Sequence, residues 1–168
     1  MTVELETERL RLRQLRESDH ETFARNHADP EVMRFLGGPA SPADSWRWLL
    51  SMLGHWTIRG YGLWALEEKI THELCGAAGL LLNFDWPELE VGWRLFRDKQ
   101  GRGYATEAGI RARQFAYEQL GAKTLVSYIA PENGASKRVA ERMGARIDGR
   151  ITLRGDPAEV YRHPYPLH

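Results

Sequence analysis

A glycine, an arginine and a second glycine fill positions 101 to 103 of DKQGRGYATEA (98–108), directly before residues that favour a helix. The free N–H groups of a helix N-terminus point outward and carry the positive end of the helix dipole. Glycines there permit positive φ and remove the Cβ atoms that would crowd a ligand. Together they can cradle an anion, above all a phosphate, each amide contributing about 1.5–3 kcal/mol. A GxG by itself more often only turns a corner. Two familiar phosphate motifs are excluded. No GxxxxGK[ST] occurs, and the dinucleotide pattern GxGxxG would need glycine where Thr106 stands.

Other residues that could do chemistry are few. In LEVGWRLF (89–96), strand alternation puts Glu90, Gly92 and Arg94 on one face, where an ion pair is their plain structural use. In NGAS (133–136), Asn133 or Ser136 can cap the helix that follows. Six histidines are scattered without an HExxH or other compact ligand set, and His163 and His168 lie in a proline-broken tail. No metal site is expected. The one cysteine, Cys75, lies in apolar LCGAAGLLL and reads as a core residue; no intrachain disulfide can form. With no GxSxG elbow and no Cys-His arrangement, a hydrolase is disfavoured.

The elements that must position these residues follow from periodicity and punctuation. RLRLRQL alternates like a half-buried strand. A helix follows, with Ser18 and Asp19 as cap candidates, and a second starts after Ser41 with Pro42 at its first position. YGLWALEE and LCGAAGLLL form a hairpin across KITHE, NFDWPE turns, and LEVGWRLF makes a third strand. A helix from near Ala105 is stopped by Gly121. TLVSYIA is a strand, PENGASKRVAERMG a loop and short helix, and ARIDGRITL and AEVYRHP are final strands. Strands joined without helices imply antiparallel pairing, and the strand–helix–strand passage around the glycines implies one parallel crossover. The sheet is therefore mixed, which also argues against a dinucleotide-binding fold.

The chain's 168 residues read as a single domain, 1–168, with 23 basic and 23 acidic side chains. That balance gives no electrostatic reason to expect nucleic acid or membrane as partner. The basic run RLRLRQLR (9–16), flanked by glutamates, reads as a solvated strand face. No signal peptide or apolar stretch near ~20 residues is present, so a cytoplasmic location is the default expectation.

The run VGWRLFRDKQGRGYATEA, with PENGASKRVAERMGA about thirty residues on, resembles the GNAT superfamily of acetyl-CoA-dependent N-acetyltransferases. TERLRLRQLRESD and GRGYATEA are similar to its ribosomal-protein N-terminal acetyltransferase branch, the RimJ/RimL type. The resemblance covers essentially the whole chain. It implies an α+β (mixed α/β) GNAT fold, with a mixed, mostly antiparallel sheet, one parallel strand pair and helices on both faces. It implies that amides of Gly101, Arg102, Gly103, Tyr104 and Ala105 hold the pyrophosphate of acetyl-CoA. Leu95, Phe96 and Arg97 would line the pantetheine arm through their backbone, like an added strand. Asn133 would bond the pantetheine amides, Ser136 would lie near the thioester sulfur, and Arg138 could reach a phosphate. The pattern [QR]xxGx[GA] is met at Gly101 and Gly103 but departs at its first position, Asp98. That acid must turn outward or be neutralised by Arg97 or Arg102.

The implied reaction moves acetyl to a primary amine, a protein N-terminus or a small molecule, by direct attack. An amine of pKa ~10.4 has an availability cost of about 4–5 kcal/mol at pH 7, whereas an α-amino group of pKa ~8 costs about 1.4 kcal/mol. Glu90 is the candidate general base. A backbone amide near Leu95 or Phe96 would meet the oxyanion, and Ser136 could serve the departing thiolate. Trp86, Trp93 and Tyr161 are candidates for the acceptor pocket, with core packing the plainer role for Tyr161. The alternative is a CoA-binding sensor or assembly module without turnover. A homodimer is compatible with the sequence, which carries no feature arguing for one.

Overall fold

The computed structural model describes residues 3–165. Eight strands form one sheet in the order β1 (Leu5–Glu6), β2 (Leu10–Arg13), β3 (Leu63–Glu68), β4 (Leu74–Leu81), β5 (Glu90–Leu95), β6 (Val126–Ile129), β8 (Asp156–Arg162) and β7 (Arg146–Leu153). Only β5 and β6 run parallel; every other neighbouring pair is antiparallel. The mixed, mostly antiparallel sheet expected from the residues is the one observed. The β3–β4 hairpin, the crossover between β5 and β6 and the closing pair all stand where the punctuation puts them.

The two faces follow from the period of two. On β3, Leu63 and Ala65 pack with Phe23 of α1 (His20–His27) and Leu49 and Met52 of α2 (Pro42–Arg59). Trp64 and Leu66 face the other way, into Ala108, Ala112 and Phe115 of α3 (Tyr104–Glu118). The short α4 (Gly134–Arg142) lies on that second face, its Ala140 packed with Ile129 and Tyr161. Capping is as read: the Ser41 hydroxyl accepts from Asp44 N, with Pro42 at the first helical position. Past α3, Gly121 takes φ +66 and Ala122 N bonds Ala116 O, closing the helix end.

Two expectations near the N-terminus are corrected. Asp19 gives α1 no side-chain cap; its carboxylate instead reaches back to accept Arg16 N at 2.8 Å. It is buried and takes a two-pronged bond from Arg13, whose third contact is Glu67 at 2.7 Å. Arg13 is accordingly buried rather than part of a solvated strand face, while its neighbour Arg11 is exposed. A buried cation needs such partners, and the partners lie on other elements.

At the centre of the sheet, glycines let β4 pack closely on both its neighbours, β5 on one side and the start of β3 on the other. A Cβ placed on Gly76 of β4 would stand 2.1 Å from Arg94 O, and one on Gly79 2.2 Å from Gly62 O. On its other side β5 barely touches its neighbour. Glu90 opposite Val126 is the one register match with β6, and Val126 N bonds Leu89 O. Beyond that point the strands part. The Ser127 hydroxyl spans the opening by donating to Val91 O at 2.6 Å, and it accepts from His163 Nε2 at 2.8 Å. Burial lowers His163 to about 3, which keeps the ring neutral. His168, the other tail histidine, lies outside the described residues. Among the described residues no helix is long and apolar enough to cross a membrane, and no cluster of metal-ligating side chains occurs.

Candidate active site

The glycine turn and the helix behind it form the first part of the site. Gly101 has φ +74 and Gly103 +83, left-handed values that suit glycine. The first helical bond runs from Glu107 N to Gly103 O. The amides of Tyr104, Ala105 and Thr106 therefore precede any intrahelical partner. Nothing lies within 4 Å of a Cβ built on Gly101. The turn is held from behind by the β1–β2 hairpin. Arg9 Nη1 donates to Arg102 O at 2.9 Å, Arg9 Nε meets Glu107 at 2.7 Å, and the guanidinium lies 4.6 Å over the Tyr104 ring. Thr7 donates to the second Glu107 oxygen at 2.5 Å. None of these supports was foreseen; the one local signal was an acid in the first turn of α3.

Asp98 lies in the turn Arg97–Lys99 and is exposed. Neither suggested cation neutralises it: Arg97 pairs with Asp29 at 2.6 Å, and Arg102 makes no ion pair among the described residues. Lys99, which precedes the glycines, is buried and pairs with Glu73. Asp98 thus faces water rather than a partner.

The second part is the free edge of β5. Phe96 N bonds Cys75 O, so even-numbered residues of this strand turn their amides toward β4. Odd-numbered residues turn theirs toward β6, as the bonds at Leu89 O and Val91 O show. Trp93 and Leu95 therefore present backbone groups where β6 has swung away. Of the three residues expected to line an extended arm, Leu95 lies on this edge. Phe96 is committed on both sides, its carbonyl accepting Lys99 N. Leu95 O accepts from the Gln100 side chain at 3.1 Å, a contact with no sequence signal.

Across the opening, Asn133 Oδ1 accepts from Ser136 N at 3.2 Å and caps α4. The Ser136 hydroxyl accepts the Trp93 indole N–H at 3.3 Å, which leaves its own proton to give. Arg138 is exposed and unpaired among the described residues. Tyr161 sits in the core cluster beneath α4 with Trp93 against it, on the sheet face opposite Glu90. Neither walls a pocket shared with that carboxylate.

The third part lies on the α1–α2 face. Glu90 is half-buried; Trp86 Nε1 donates to its Oε2 at 2.6 Å. Burial raises its pKa to about 7 against that hydrogen bond. The Trp86 ring meets Tyr128 edge-on and carries the Arg154 guanidinium 4.3 Å away, itself paired with Asp85. The expected Glu90–Arg94 ion pair is not formed. Arg94 Nη1 instead donates to His27 Nε2 at 3.2 Å, and its guanidinium stacks 4.7 Å over Trp48. The one ring proton of neutral His27, on Nδ1, is donated to Ser45 Oγ at 2.8 Å, and burial beside Arg94 lowers the ring's pKa to about 4. Burial likewise brings Arg94 down to about 10. Between Glu90 and Arg94, Gly92 leaves open floor: a Cβ there would touch only the Glu90 carboxyl, at 3.5 Å.

A profile of the Acetyltransferase (GNAT) domain family matches residues 9–146. A crystal structure of an acetyltransferase from Agrobacterium tumefaciens str. C58 superposes with a TM-score of 0.88 at 35% identity, covering 97% of this chain and 95% of that one. Two Bacillus subtilis (strain 168) proteins are similar over most of their length. YkkB is 31% identical over 95% of this chain and 94% of its own. YoaA, described as an N-acetyltransferase, is 27% identical over 86% and 84%.

Proposed function

Because this chain belongs to the GNAT family of acetyltransferases, we propose that it moves an acetyl group from acetyl-CoA to a primary amine by direct attack. The observation that carries the reading is the parted β5–β6 pair, which ends beside a glycine turn and a helix N-terminus. An extended arm bearing amides fits the edge at Trp93 and Leu95, and a diphosphate suits the open amides from Gly101 to Thr106. Arg102 and Arg138, both exposed, supply nearby positive charge. Bound there, acetyl-CoA supplies an activated acyl thioester.

The remaining work falls to the chain's side chains. Glu90, ionised above about pH 7, takes the proton that the amine must lose. Its environment matches an acceptor of modest basicity, such as an α-amino group, better than a lysine-like one. The Trp93 or Leu95 amide can donate to the acyl oxygen. Ser136 holds a proton at Oγ for the leaving sulfur. Asn133 keeps its cap to α4 and offers its amide nitrogen to the arm. Balanced charge gives no electrostatic reason for a nucleic-acid or membrane partner, and the location taken by default is cytoplasmic, as monomer or homodimer.

Calorimetry with acetyl-CoA and a thiol-release assay over an amine panel test this directly. Micromolar binding with acceptor-dependent thiol release is expected. Binding without release from any amine would favour a CoA sensor, and absence of binding would sink both readings.

A further inference from the structure

On the face that carries Glu90, a cavity of about 290 Å³ opens between α1, α2 and the segment around Gly37 and Gly38. Its lining includes Arg94, His27, Ser45, Trp48 and Met33. We infer that the acetyl acceptor is a small amine bearing a carboxylate, and that Arg94 binds this carboxylate while the amine lies over Gly92 beside Glu90. The inference rests on the acetyl-transfer reading above and names its acceptor class.

Arg94 is the reason. A guanidinium drawn into a protein normally takes a carboxylate partner, as Arg13 takes Asp19 and Glu67 here. Arg94 has none among the described residues. Its neighbours are a neutral imidazole and an indole face, which orient the fork without discharging it. The guanidinium has only donors to offer, so His27 Nε2 meets it as an acceptor and the ring proton sits on Nδ1, donated to Ser45 Oγ. The guanidinium's remaining donors stay available for a bidentate anion. One acid does line the cavity, Asp44, but it is exposed and engaged by Ser41 and Arg47. The base and the cation stand four residues apart on one strand face, ~13 Å between Cα atoms. Gly92 alone separates them. That spacing suits a bifunctional molecule whose two ends are read by two side chains.

The test is a matched panel: an α- or ω-amino acid, its primary amide and its decarboxylated amine, assayed by acetyl-CoA-dependent thiol release. The carboxylate member should lead its amide in kcat/KM by at least tenfold, chiefly through KM. In wild type, the deaminated carboxylic acid should compete with the acceptor, and its amide should not. Arg94→Gln should collapse the carboxylate-to-amide ratio to near one. Should that variant fail to fold, the wild-type competition experiment stands by itself. Equal rates across each matched set would overturn the inference while leaving acetyl transfer intact, whereas no release from any amine would overturn both. A peptide with a free N-terminus that beats the best small carboxylate tenfold would also overturn it.

Discussion

Glu90 shows how one carboxyl can be tuned by its surroundings. Burial lifts it to about 7 from an ordinary 4.5. As a base it works only when ionised, so activity should fall as pH drops through 7. With an amine whose own pKa lies below that, kcat/KM should lose about tenfold per pH unit under pH 7. Glu90→Gln should flatten that limb and lower kcat/KM at pH 8 by ~100-fold or more; a limb that survives would assign the base elsewhere. Stability should move the other way. A raised carboxyl pKa destabilises the folded state at high pH, by roughly 3 kcal/mol above pH 7 and by nothing below 4.5. Urea unfolding should therefore find Glu90→Gln more stable than wild type at pH 8 and level with it at pH 4.5. The face carrying Glu90, Gly92 and Arg94 was legible in the sequence, because strand alternation needs no knowledge of neighbours. The partners were not legible. His27 and Trp48 lie on helices 67 and 46 positions away, and nothing local announces them.

Elements divide in the same way. Their order could be read because glycine, proline and capping residues punctuate the chain at each boundary. Insertion of β8 between β6 and β7 could not, since it depends on a long-range register. The N-terminal hairpin is the clearest case. Its arginines looked like a solvated face, yet Arg13 is tied to Asp19, and Arg9 clamps the glycine turn through Arg102 O and Glu107. β2 is thus a brace for the proposed cofactor loop. Arg9→Ala removes the carbonyl and carboxylate contacts together, worth about 1–2 kcal/mol. The dissociation constant for CoA, measured by calorimetry, should rise about five- to thirtyfold with kcat nearly unchanged. An unaltered constant would show that the turn holds its shape alone.

At the scale of the whole molecule, the sheet is two pieces joined at one register point. Residues up to β5 make one leaf, β6 to β8 the other, and Glu90 opposite Val126 is the hinge pin between them. Ser127 and the Trp93–Ser136 contact are the splints that keep the leaves from swinging. No single residue in the sequence advertises that parting; the GNAT resemblance implied it only through the expected strand-like arm. Amide exchange reads it directly. Trp93 and Leu95 should exchange fast in the free protein and at least tenfold more slowly with saturating CoA. Phe96, already bonded to Cys75 O, should hardly change.

Unpaired strand edges usually lie at a sheet's rim, where they invite other chains to add on and aggregate. Here a pair of such edges is turned inward, between the leaves and roofed by α3 and α4. An extended arm carrying amides can pair with such an edge in place of a further strand. Hydrogen-bonding capacity that would be a hazard on the outside is kept here for a bound arm, without the bulges or lysines that guard an exposed edge.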